Sequence, residues 1–168
     1  MNAHPEGSNP RPDERHPKAT AHVRSRPLMQ PVALVFGVVF LLVGIAGFIP
    51  GITTDYDTLK FAGHESEAKL FGVFQVSVLH NILHLVFGVA GVLLARTWNN
   101  ARRFLIGGGL AYAGLWIYGM ATEHDNEANF VPLNDADDWL HLGLALAMLL
   151  LGLVLSQERR DIGSDFPG

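Results

Sequence analysis

Cysteine is absent from the 168 residues. That excludes disulfides, cysteine-held iron–sulfur clusters and thiol catalysis, and leaves the compartment open. Surplus positive charge is absent too: 12 basic and 16 acidic residues give a net charge of -4, so nothing calls for a nucleic-acid partner. Recognisable catalytic motifs are missing. The sequence holds no H-x-E-x-H, no C-x-x-C-H and no G-x-G-x-x-G. The glycines of "RFLIGGGLAYAG" follow no strand pattern, which excludes a nucleotide loop.

Charge is lacking most where apolar residues gather. Four segments contain no Asp, Glu, Lys or Arg: residues 31–49, 70–95, 104–122 and 139–156. Each is near the roughly 17–25 residues that cross a bilayer core. Helices suit that role because each satisfies its own backbone hydrogen bonds in lipid. The sequence therefore predicts an all-α integral membrane four-helix bundle over residues 31–156, built from two in–out–in helical hairpins. Residues 1–30, with Pro5, Pro10, Pro12, Pro17 and Pro27 among polar residues, are expected to form a disordered basic tail. Residues 157–168 are expected to form a second tail. The first segment is expected to be an uncleaved anchor, since "IPGITT" after it offers no small-residue cleavage site.

Charge between the segments orients the bundle. Arg96, Arg102 and Arg103 follow segment two, and Arg159 and Arg160 follow segment four. Residues 123–138 carry six acidic residues and no Lys or Arg. By the positive-inside tendency both termini and the arginine loop are expected in the cytoplasm and the acidic loops outside. A weak repeat is also visible. "NILHLVFGVAG" from Asn81 resembles "DWLHLGLALAM" from Asp138, and "FGVVFLLVG" from Phe36 is loosely like "IGGGLAYAG" from Ile106.

Segment two raises a question, because His80, Asn81 and His84 interrupt an apolar run. At 100° per residue, Ser77, His80, Asn81, His84, Gly88, Gly91 and Ala95 share one stripe of about 100°. Small residues allow close helix approach and polar ones hydrogen-bond across it, so this stripe should face protein. His141, Ala145, Met148, Gly152 and Ser156 form a similar stripe, and Gly107, Gly108, Gly109, Ala111, Ala113 and Gly114 offer a third small face.

Three roles for the histidines follow. They are packing contacts between helices, a site for a metal, a haem or a proton, or a surface for a partner. Histidines at i and i+4 put both imidazoles on one face, as ligation needs. His80 lies sixteen residues before Arg96 and His141 seventeen before Glu158, so His80, His84 and His141 reach a common depth as candidate metal ligands. Glu123, His124 and Asp125 stand near the outer mouth. Packing is the preferred role, with no cofactor expected and haem or a divalent metal as the alternative. Asn129 to Asp138 is expected to be a solvated acidic turn in which Asp135 or Asn134 caps segment four.

The blocks "LFGVFQVSVLHNILHLVFGVAG" (70–91) and "ANFVPLNDADDWLHLGLALA" (128–147) resemble the signature blocks of a family of small bacterial four-helix membrane proteins, domain of unknown function 4383. "GIAGFIPGITT" (44–54) resembles its first hairpin turn. His80, Asn81, His84, Asn134, Trp139 and His141 fall at the family's positions, whereas Asp138 stands where a neutral polar residue is expected. The resemblance, over roughly residues 32–156, implies a multipass protein of the bacterial cytoplasmic membrane and no activity. The expectation is a non-enzymatic accessory or structural component. The bilayer is its first partner, with a second copy or another membrane protein as further partners. A redox or metal-binding protein, or a small oligomeric pore, is the alternative.

Overall fold

The computed structural model describes residues 28–164, with side chains described through Gln157. Most of the expected N-terminal tail and residues 165–168 lie outside the described residues. Four helices follow in order: α1 (Met29–Ala46), α2 (Val78–Leu94), α3 (Trp98–Ala121) and α4 (Asp135–Ser164). Between α1 and α2 lie β1 (Thr53–Thr54), β2 (Lys69–Leu70) and β3 (Phe74–Gln75), which form a small antiparallel sheet in the order β1-β2-β3. Helices α1, α3 and residues Asp135–Gln157 of α4 are long and apolar enough to cross a membrane. Leu42, Val86, Leu110, Ile117 and Leu150 turn outward and are at least 60% exposed, a surface that suits lipid. The chain is a membrane four-helix bundle with a small β cap at one end.

The elements depart from their expected limits for local reasons. Residues 70–77 are not helical. Phe71 and Gly72 take left-handed backbone conformations (φ 53 and 71) and turn β2 into β3, so no helix propagates through them. Helix α2 is therefore 17 residues, roughly 25 Å long. Helix α3 starts before its apolar run, at Trp98, where Thr97 accepts a hydrogen bond from the backbone N–H of Asn100. Arg102 and Arg103 thus belong to a helix and not to a loop, and Arg102 Nε donates to Ser156 Oγ at 2.7 Å. Helix α4 likewise starts at Asp135 and runs beyond Ser156 into the expected tail. Asn134 caps it.

The strongest packing joins α1 to α2 and α3 to α4. In the first hairpin a Cβ on Gly37 would lie 2.7 Å from Val92 N and 3.1 Å from Gly88 O. In the second, a Cβ on Gly109 would lie 3.0 Å from Leu149 N and 3.1 Å from Ala145 O. The equivalence continues along both pairs. Gly47 packs against the Asn81 side chain and Gly119 against that of Asp138. Asn81 and Asp138 are the residues the sequence repeat aligns. The first and third helices match two residues away from that repeat, Gly37 with Gly109 and not with Gly107. Gly107 and Gly114, expected in the packed face of α3, look onto open space.

Both interhelical turns at the cap end meet. Gly63 N donates to Phe130 O at 2.7 Å, and Asn134 Nδ2 donates to Val73 O at 2.8 Å. At the opposite end Gln30 Nε2 donates to the carbonyl of Arg96.

Candidate functional site

The polar triplet of α2 is not at mid-helix. Ser77, fully buried, caps the helix by accepting from His80 N at 3.1 Å. His80 lies in the first turn, where backbone N–H groups lack intrahelical partners, and Asn81 follows it, its N–H donating to the carbonyl of Ser77 at 2.9 Å. His84 lies one turn deeper. Its Nδ1 is 3.2 Å from the carbonyl of His80. A proton on Nδ1 makes that a hydrogen bond and leaves Nε2 as the open nitrogen.

The second hairpin supplies the facing residues. Asn134 Oδ1 accepts from Asp137 N at 3.0 Å, and Asp137 Oδ2 accepts from Asn134 N at 3.1 Å, a reciprocal cap. The same Oδ2 accepts from Gln75 N of β3 at 2.9 Å. Asp137 is 2% exposed, so the cap end of the first hairpin holds a buried carboxylate of the second. One turn on, His141 reaches the His80 ring at a centroid separation of 6.3 Å, while His80 and His84 stack at 4.8 Å. The three predicted histidines are therefore neighbours, contributed by both hairpins.

Two cavities flank them. One, of about 210 Å³, is lined by His80, Asn81, His84, Asp137 and His141 together with apolar side chains of α1 and the sheet. The other, of about 200 Å³, shares the three histidines and adds Tyr112 and Val131. His80 Nδ1, His141 Nδ1 and Asn81 Nδ2 are buried with no hydrogen-bond partner. An aromatic layer lies on the arginine side of the cluster. Phe40 stacks on Tyr112 (5.4 Å, 12°), Phe40 meets His84 and Tyr112 meets His141 at 5.9 and 5.3 Å, and Phe87 packs edge-on against Phe40 and Tyr112.

The stripe Ser77, His80, Asn81, His84, Gly88 and Gly91 faces protein, as its period predicts. All but the half-buried His84 are buried. In α4, His141, Ala145, Met148, Gly152 and Ser156 are buried too. Asp137 is the residue that sequence reasoning misses, because it sits in an acidic turn expected to be solvated. The repeat contains its signal, since the register that aligns His84 with His141 aligns His80 with Asp137. His124 extends nothing into the cavities. It meets Asp138 Oδ2 at 3.2 Å through Nε2 and the exposed Asp135 at 3.6 Å through Nδ1. Neither Glu123 nor Asp125 lines either cavity.

A helical membrane bundle of two like hairpins, closed around a shared polar layer, is the class these features define. The chain belongs to the family described as Domain of unknown function (DUF4383), whose sequence model matches residues 30–154. No curated protein and no solved structure matches the chain.

Proposed function

We propose that the protein is a non-enzymatic accessory component of a bacterial cytoplasmic membrane, with both termini in the cytoplasm. The observation that carries this reading is the joint between hairpins. Ser77 and Asn134 serve as caps, Asp137 ties α4 to β3, and the histidine rings meet across the joint. Interhelical hydrogen bonds in membrane bundles contribute about 0.6 kcal/mol each, so the layer specifies how the hairpins meet more than it drives them together. The orientation rests on the arginine end, with Arg96, Arg102 and Arg103, and the acidic cap end, with Asp55, Asp57, Glu65, Glu67, Glu123, Asp125 and Glu127. A pore through one bundle is disfavoured by the aromatic layer of Phe40, Phe87 and Tyr112 across its middle.

Proteoliposomes holding the purified protein are expected to pass protons, potassium and small dyes no faster than protein-free vesicles. A flux that depends on the protein would replace this reading with that of a channel or carrier.

A further inference from the structure

Four residues in the first two turns of α2 and α4 form a donor set. We propose that His80, His84, Asp137 and His141 bind one divalent transition-metal ion of the zinc class in the cavity between the hairpins. His80 and His84 are spaced i, i+4 on α2, and Asp137 and His141 are spaced i, i+4 on α4, so each helix offers two ligands from one face. All four line the same cavity of about 210 Å³. Pockets for drug-sized ligands and cofactors run to roughly 300–1,000 Å³. This volume suits an ion with a water and not a macrocycle.

Two further observations point at a ligand. His80 and His141, 5% and 2% exposed, each bury an Nδ1 with no hydrogen-bond partner, and the backbone of Gln75 and Pro132 stands beside the His80 ring. A buried polar atom without a partner is costly, and a bound ion would remove that cost. The remaining two residues are held from behind. The His80 carbonyl beside His84 Nδ1 fixes that ring with Nε2 outward, and the backbone N–H groups of Gln75 and Asn134 hold one oxygen of Asp137. Supports of this kind orient the ligands of metal centres. Two imidazoles on one zinc ion at 2.0–2.1 Å place their ring centroids roughly 5–6 Å apart. The two separations from His80, 4.8 and 6.3 Å, lie just below and just above that range.

The cavity residues would close on the ion by side-chain rotation. Among the described residues, the group whose three donor atoms already lie within 4.8 Å of one another is His124, Asp135 and Asp138. That group is an ordinary ion-pair cluster. Asp135 is 94% exposed on its side chain, and the two carboxylates face opposite nitrogens of one ring. The donors of the inner set, imidazole and carboxylate without thiolate, suit zinc, cobalt(II) and their neighbours in the series.

The test uses the full chain in mild detergent, stripped with chelator and titrated with cobalt(II), then zinc. The expected result is about one ion per chain, the visible absorption of tetrahedral cobalt(II), and its loss when zinc displaces cobalt. His141→Ala and Asp137→Asn should each weaken binding on the order of 100-fold. His124→Ala should leave it unchanged. X-ray absorption of the zinc-loaded wild type needs no variant and should show three imidazoles and one oxygen. A monodisperse wild type that takes up neither ion overturns the proposal. So do binding abolished by His124→Ala, full affinity in Asp137→Asn, or fewer than three imidazoles on the zinc. Vesicle flux and metal content are separate readouts, so this proposal and the accessory role can fail independently.

Discussion

The α1–α2 and α3–α4 hairpins follow one plan with different polar residues. Ser77, His80, Asn81 and His84 stand in the first where Asn134, Asp137, Asp138 and His141 stand in the second. Both plans seat the third of these residues against a bare glycine, Gly47 or Gly119. The carboxylates are confined to the second hairpin, and each has a partner from outside its helix. Asp137 takes a backbone N–H from β3. Asp138 meets His124 of the preceding turn. Asn81 buries its Nδ2 unpaired, as Asp138 does its Oδ1, but Asp138 keeps a partner at Oδ2. The difference teaches why the two acids are tolerated where they are: a buried carboxylate is kept only where a donor is built beside it.

The sharpest way to break that comparison is to exchange the two equivalent residues. Asn81→Asp places a carboxylate against Gly47, where the native side chain buries an unpaired Nδ2. It should destabilise the bundle by on the order of 3–5 kcal/mol, the scale of a buried unpaired charge. Asp138→Asn keeps the shape and loses only the contact to His124, so about 1 kcal/mol is expected. Unfolding in mixed detergent micelles, followed by circular dichroism, compares them. Equal losses would mean that His124 does nothing for Asp138.

A second exchange tests the small-residue seams. A Cβ on Gly88 would lie 2.6 Å from Leu41 N, whereas its equivalent in the second hairpin is Ala145, which carries a Cβ natively. Gly88→Ala should therefore cost about 2 kcal/mol through overpacking against backbone. Ala145→Gly should cost about 1–2 kcal/mol, through helix propensity and the loss of a buried methyl. The same unfolding assay reads both, and a neutral Gly88→Ala would show that the first seam is looser than its geometry.

Much of this arrangement is legible in the residues themselves. The stripe on α2 is buried where its 3.6-residue period puts it, and the shared Leu-His-Leu marks the true register of α2 against α4. Backbone conformation is what the residues conceal. Nothing in the apolar run 70–77 announces the left-handed turn at Phe71 and Gly72, so the histidines look central in the run when they lie at a helix start. The match between α1 and α3 slips by two residues because three successive glycines, Gly107 to Gly109, fit the pattern equally well and only packing selects Gly109. Asp137 is lost in an acid-rich turn, where composition suggests solvent and tertiary contacts decide otherwise.

The caps give the smallest and most local contrast. Ser77 is fully buried and makes one capping bond, to His80 N. Asn134 is half-buried and makes two side-chain bonds, accepting from Asp137 N and donating to the carbonyl of Val73 on the first hairpin. Loss of a cap costs typically about 1 kcal/mol. Ser77→Ala should reach the upper part of that range, near 2 kcal/mol, because water cannot replace the lost acceptor at His80 N. Asn134→Ala should cost about 1 kcal/mol, because water reaches the exposed side of the turn. Amide hydrogen exchange separates the two further. Ser77→Ala should loosen the first turn of α2 alone, while Asn134→Ala should also raise exchange around Val73 and Gln75, since it cuts a tie between hairpins. Exchange confined to α4 in Asn134→Ala would mean that Gln75 N and Asp137 hold the two cap-end turns together without it.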